Sequence, residues 1–330
     1  MDNNKEKEVK TVSLTREFLS WKTLAAVLLA ILIIYAFFHG FSREDFTKFS
    51  DNFHRMNLAA LVLGLASYYM AYLFLGLRYQ ILLGNCGVKI SLWQGTVTCF
   101  MGAAANAALP TKVGDFYRAY LLYKHAKVPV GQGLGANIGE RILDLVFVFG
   151  LFLAMSLLLF GHGSNVIVSR LIESGLFLLG LVVLGMVLLL VPATRHFVLA
   201  IFPGKVRTFV AQFLDGVTGS LGRNRLRLIA ATAGLWATES LRLYFVTVAL
   251  GVHMTIPQIV FTVMATTLLA SIPISFSGLG FVEGGITDLL KLFRIDMSLG
   301  LAIIVCDRLI SFVSVVVLGF ISFLFVKDAS

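Results

Sequence analysis

Six basic and six acidic side chains stand inside stretches of this chain that are otherwise apolar. They are Arg78, Lys112, Arg118, Arg141, Arg242 and Arg308, with Asp115, Glu140, Asp144, Glu239, Glu283 and Asp307. An arginine, lysine or aspartate at the centre of a membrane helix costs about 2.5–3.5 kcal/mol. Twelve such groups facing lipid would cost about 30–40 kcal/mol, against a typical total stability of about 5–15 kcal/mol. They must therefore face one another or water. Three pairs are spaced to share a helix face: Asp115 with Arg118, Arg141 with Asp144, and Glu239 with Arg242. Any one pair could simply lock helices together, but the whole set concentrates around two broken segments.

Those segments are "LPTKVGDFYRAYLLYKHA", residues 109 to 126, and "SIPISFSGLGFVEGGITDLL", residues 271 to 290. Pro110 and Pro273 interrupt helices at membrane depth, where broken backbone is tolerated only against protein or a watery cavity. After Pro110, Thr111 is placed to cap a short helix. After Pro273, Ser275 or Ser277 is placed to cap another that starts near Gly278. Helix N-termini present unpaired N–H groups and partial positive charge, which suit phosphate. Gly278 and Gly280 let a ligand approach the backbone closely, whereas Gly284 and Gly285 serve ligand approach or tight packing equally well. Lys112 and Arg118 add donors near the first half-helix. Arg118, Arg242 and Arg308 are the candidates for headgroup phosphate. Glu140, Glu283 and Asp307 are the candidates for gating, pairing or proton exchange.

The elements that carry these residues follow from composition. The 330 residues are 58% hydrophobic and 14% charged, with a mean hydropathy of +0.88; a soluble domain is about 45–50% apolar and about 25% charged. Apolar runs near 20 residues recur, long enough to cross a hydrocarbon layer of about 30 Å. The expected spans are 23–39, 58–83, 92–109, 134–160, 174–191, 227–250, 257–273 and 300–326, with 109–126 and 274–292 as the returning arms of two re-entrant hairpins. The first span reads as a retained helix, because no small-residue cleavage site follows it. The fold expected is thus an all-α integral membrane protein: a polytopic bundle of about six full transmembrane helices plus two re-entrant hairpins. Lys and Arg number fifteen on the side of the N-terminus and six on the other, which puts both termini in the cytoplasm of a multi-pass cell-membrane protein. Residues 40–57 and 204–220 read as short amphipathic helices on the membrane surface. The net charge of +9 fits basic loops against lipid headgroups and not nucleic acid. Cys86, Cys99 and Cys306 lack paired or metal spacing, the six histidines stand singly, and no cofactor motif is visible.

The chain also repeats itself. "LGLRYQILLGNCGV", Pro110 and "GERILDL" are followed later by "ESLRLYFVTVALGV", Pro273 and "CDRLISF". Arg78 lies nine residues before Gly87, and Arg242 nine before Gly251. The steps from Arg78 to Pro110 and from Arg242 to Pro273 are 32 and 31 residues. One membrane domain, residues 1–330, is expected to hold a first repeat, 20–165, and a second, inverted repeat, 170–326, with a site where the broken helices meet at the midplane.

These residues bring a family into view. "LPTKVGDFYRAYLL", "GERILDLV", "IPISFSGLGFVEGGI" and "CDRLISF" resemble the lysylphosphatidylglycerol synthetase/flippase membrane-region family, which includes the membrane half of the multiple peptide resistance factor. The resemblance runs from about residue 20 to 325. It implies movement of a polar-headgroup lipid, aminoacylated or polyprenyl-phosphate-linked among the options, between leaflets by alternating access. The synthetase members carry a soluble aminoacyl-transferase domain; the sequence to Ser330 shows none, so the expectation is a transporter with membrane lipids as partners and no catalytic residue. A membrane-embedded transferase on polyprenyl-phosphate-linked substrates is the alternative, with Glu140 and Asp144 sharing a magnesium ion. A third is an accessory subunit of a separate lipid-synthesising enzyme. A homodimer is compatible with each.

Overall fold

The computed structural model describes Thr47, Ser50, Asp51 and residues 53–108, 113–161, 166–271 and 281–327. All regular structure among them is helical: α1 (Leu58–Asn85), α2 (Leu92–Ala108), α3 (Gly114–Ala126), α4 (Val130–Phe160), α5 (Val166–Leu190), α6 (Pro192–Ile201), α7 (Gly204–Ser220), α8 (Arg225–Ala249), α9 (Ile256–Ser271), α10 (Phe281–Leu292), α11 (Met297–Arg308), a π turn (Leu309–Val313) and α12 (Ser314–Lys327). The expected span 23–39 lies outside the described residues, as do Pro110, Lys112, Pro273, Ser277, Gly278, Gly280 and the side chain of Glu283.

Among the described residues, three helices are long and apolar enough to cross a membrane outright: Leu58–Asn85, Val130–Phe160 and Met297–Gly319. The described residues are all-helical, and the chain is a multi-pass membrane protein. The helix α8 matches these in length, with 25 residues, but Arg225, Arg227, Glu239 and Arg242 lower its hydropathy. At about 1.5 Å per residue, the 17 residues of α2 and the 13 of α3 reach about 26 and 20 Å, short of the roughly 30 Å layer.

Local signals set where the helices stop, and they come in matching pairs. The first helix ends at Gly87, whose φ of +82° lets the Val88 N–H donate back to the Leu83 carbonyl at 2.9 Å. The eighth ends the same way, with Gly251 at φ +68° and Val252 N–H on the Thr247 carbonyl at 2.9 Å. Both are left-handed glycine stops. A capping box opens α2, where Ser91 N donates to Gln94 Oε1 and Gln94 N to Ser91 Oγ. Its Thr255 N to Gln258 Oε1 half recurs at α9. The ends of α3 and α10 carry Lys127 and Arg294 in left-handed conformation.

The longest packing seam joins α1 to α8, and α7 lies along α4. The latter seam seats the C-terminal half of the amphipathic helix expected over 204–220 against protein. Leu214, Gly216, Val217 and Ser220 are buried, because Gly131, Gly135 and Gly139 of α4 present bare backbone to them. The apolar core gathers elsewhere, around Phe152 stacked on Phe261 with ring centres 5.3 Å apart. The expected span over 134–160 begins earlier, at Val130, and the last span is interrupted by the π turn directly after Arg308.

Candidate functional site

A charged lattice forms where α1, α3 and α4 converge. Arg78, fully buried in α1, donates from Nη1 and Nη2 to the two carboxylate oxygens of Asp144 on α4 at 2.5 and 3.0 Å. Its Nη2 also lies 3.4 Å from Glu140. Arg118 of α3, 4% exposed, grips Glu140, 2% exposed, through Nη1 at 3.2 Å and Nη2 at 2.8 Å. It also donates to Cys99 Sγ at 3.2 Å and lies 4.2 Å above the Tyr79 ring. Glu140 is thus the shared acceptor of two buried guanidiniums, the planar fork geometry in which arginine binds carboxylate best.

Arg118 reaches this place because α3 sits close on α2. A β-carbon on Gly102 would meet Arg118 Cδ at 2.6 Å, and one on Gly114 would meet the Asn106 side chain at 2.6 Å. The α3 N-terminus has no side-chain bond from its own capping position, Val113. Instead Asn106 Oδ1 accepts from Gly114 N at 2.7 Å across the α2–α3 contact. Losing that acceptor strands a part-buried N–H, so Asn106→Ala is expected to cost about 1–3 kcal/mol, read as a lower thermal midpoint of the detergent-solubilised protein.

The second group belongs to α8 and α11. Arg242 binds Glu239 at 2.9 Å and is ion-paired with Asp307. It stands over Tyr68, whose hydroxyl donates to the Ser311 carbonyl in the π turn at 3.0 Å. A π turn beside charged groups is a common mark of functional helices.

One cavity of about 480 Å³ joins the two groups, lined by Arg78, Asp115, Arg118, Glu140, Arg141 and Asp144 from one side and Glu239 and Arg242 from the other. Asp307 adjoins it through Arg242, whereas the half-buried Arg308 is not in its lining. Tyr68, Tyr72, Trp236 and Asn106 also stand in the wall. Sequence reasoning missed these four. Tyr68 and Tyr72 sit one turn apart, and Trp236 sits three residues before Glu239 on one face, a periodic signal that was there to be read. Arg141 and Asp144 do not pair with each other. Asp144 is taken by Arg78, and Arg141, 54% exposed, reaches Asp115 at 3.3 Å. Glu140 and Asp144 are held by guanidiniums and so do not present a shared face to a magnesium ion. Gly285 packs toward Leu269, the packing role.

Comparison with known proteins adds an independent line. Residues 23–319 match the family described as Lysylphosphatidylglycerol synthase TM region. A UPF0104 membrane protein of Methanocaldococcus jannaschii is 31% identical over 222 residues, covering 67% of this chain and 94% of that protein. Another, from Methanothermobacter thermautotrophicus, is 24% identical over 271 residues, covering 74% and 76%. The glycosyltransferase AglD of Haloferax volcanii is 29% identical over 76 residues, 23% of this chain and 12% of that protein.

Proposed function

The chain belongs to the lysylphosphatidylglycerol synthase TM region family, and on that premise we propose that it moves a lipid with a phosphate-bearing polar headgroup between bilayer leaflets. The observation that carries this reading is the cavity itself: about 480 Å³, walled by arginines and carboxylates, inside a bundle with membrane-length helices. Ligand sites commonly measure about 300–1,000 Å³, so a headgroup fits while its acyl chains stay in the bilayer. Arg118 is committed to Glu140, whereas Arg141, 54% exposed and paired with Asp115 at 3.3 Å, presents a guanidinium to which a phosphate can bind.

The paired helix stops and capping bonds, recurring in the same order around α1–α3 and α8–α10, support two repeats, which this reading relates by inversion. Their relative rocking would open the cavity to each side in turn. The short helices α2 and α3, and α9 and α10, are then the arms of two re-entrant hairpins that meet at this cavity. The end of the bundle bearing Lys89, Lys124, Lys127 and Arg223 faces the cytoplasm on this reading, with both termini on that side of the cell membrane. The transferase alternative rests on the short AglD match alone, and the arginine-held carboxylates weigh against it.

The test is transbilayer movement of fluorescent phospholipid in proteoliposomes, read by chemical quenching of the outer leaflet. Wild-type protein is expected to speed exchange over protein-free vesicles. Arg141→Gln, whose exposed site leaves folding intact, is expected to slow it about tenfold or more, the worth of one charged hydrogen bond. Exchange no faster than in empty vesicles, across zwitterionic and anionic probes alike, overturns the reading.

A further inference from the structure

The bend between α6 and α7 is exposed through nine consecutive residues, from Ile201 to Phe209. Its composition is unusual for an exposed turn. Ile201, Phe202, Val206 and Phe209 alternate with Lys205 and Arg207, and Gly204 at φ +52° makes the corner. The acid of this region, Asp215, is already bound to Arg195 at 2.6 Å, which ties α6 to α7. The remaining charge is positive.

Large apolar side chains interleaved with arginine and lysine fit the boundary between headgroups and acyl chains, where rings and aliphatic groups sink while cations meet phosphate. The helix behind the bend cannot sink further. Its C-terminal half is held against α4 through Gly216 and Ser220, and Asn85 at the end of α1 donates to the Ser220 and Arg223 carbonyls at 2.6 and 2.7 Å. The fold therefore presents the bend at a fixed depth beside the bundle end.

We propose that this bend is a docking surface for anionic phospholipid headgroups, in which Lys205 and Arg207 bind the phosphates and Ile201, Phe202 and Phe209 enter the acyl boundary. An acidic soluble protein would match the charge but would leave the interleaved apolar residues without a use. The surface is separate from the cavity and needs no transport to be tested.

The experiment places the full-length protein in phosphatidylcholine vesicles containing a minority of phosphatidylglycerol. A trace of photoactivatable phosphatidylglycerol or phosphatidylcholine is added, and cross-linked peptides are located by mass spectrometry. The phosphatidylglycerol probe is expected to concentrate on residues 201–209, and to fall about fivefold for each cation removed in Lys205→Gln and Lys205→Gln/Arg207→Gln. High salt is expected to remove the preference in the wild-type protein, which checks the result without any substitution. Equal labelling by both probes, or a double variant that labels like wild type, overturns the proposal. Labelling that appears only when a cytosolic extract is omitted assigns the surface to a soluble acidic partner and overturns it equally.

Discussion

Glu140→Leu is expected to lower the stability of the folded protein by about 3–5 kcal/mol, the usual cost of removing one partner from a buried ionic pair. Glu140 is the acceptor shared by Arg78 and Arg118. Arg78 would keep its two-point bond to Asp144. Arg118 would be left 4% exposed with Asp115, at 3.8 Å, as its nearest carboxylate, its charge dehydrated and poorly met. A second substitution separates stability from function. In Arg118→Met/Glu140→Leu both members of the pair become apolar, and methionine can lie on the Tyr79 ring that Arg118 covers. Replacing a buried pair by apolar residues of similar size is often neutral or better, so most of the lost stability is expected to return. Lipid exchange is not expected to return with it, because the cavity wall has lost its charged centre. Thermal unfolding in detergent checks the first part and leaflet exchange in vesicles the second; a single variant as stable as wild type would show that Glu140 is not the keystone.

Gly135→Leu is expected to prise α7 from α4. A β-carbon at Gly135 would overlap the Phe213 carbonyl and meet Gly216 Cα and Val217 N at 2.8 Å, all of them backbone. Overpacking of this kind costs about 1–3 kcal/mol even where side chains can yield, and backbone yields less. Cys86 reports the outcome. Its sulfur lies beneath α7, 3.7 Å from the Gly216 carbonyl, and burial pushes its thiol above the ordinary cysteine range. Because thiolate is the reactive form, wild-type Cys86 is expected to alkylate slowly near neutral pH. In Gly135→Leu the thiol gains water, its proton is lost more readily, and maleimide labelling accelerates. Gly150→Leu is the control, since nothing lies within 4 Å of a β-carbon there. Labelling equally slow in both variants would mean that α7 stays in place.

Much of the helical plan was legible because hydrocarbon thickness imposes run lengths, and glycine, proline and capping residues punctuate them. The spans at 58–83, 92–109 and 227–250 fall within a few residues of α1, α2 and α8. The cluster of charges at depth was legible for a similar reason: lipid leaves them no other place to go. Partner choice was not. Spacing along one helix indicates that Arg141 and Asp144 share a face, but Asp144 turns to Arg78 on another helix because that guanidinium is the more deeply buried and needs two acceptors. The seat of α7 was also hidden. An amphipathic pattern says that one face is covered, without distinguishing lipid from the glycine-lined side of α4. Asn106, bonded across to Gly114, has no helical period to betray it.

Among the described residues, the cavity lining holds four arginines, Arg78, Arg118, Arg141 and Arg242, and four carboxylates, Asp115, Glu140, Asp144 and Glu239. In a carrier built this way, swinging the empty chamber across the electric field does no net electrical work. Voltage then acts on the cargo alone: about 2.3 kcal/mol for each elementary charge per 100 mV, and nothing on a zwitterion. The membrane potential would bias the leaflet distribution of a charged lipid by roughly fiftyfold while leaving a neutral one to its concentration gradient, so one passive machine would be a rectifier for the first and a simple equaliser for the second.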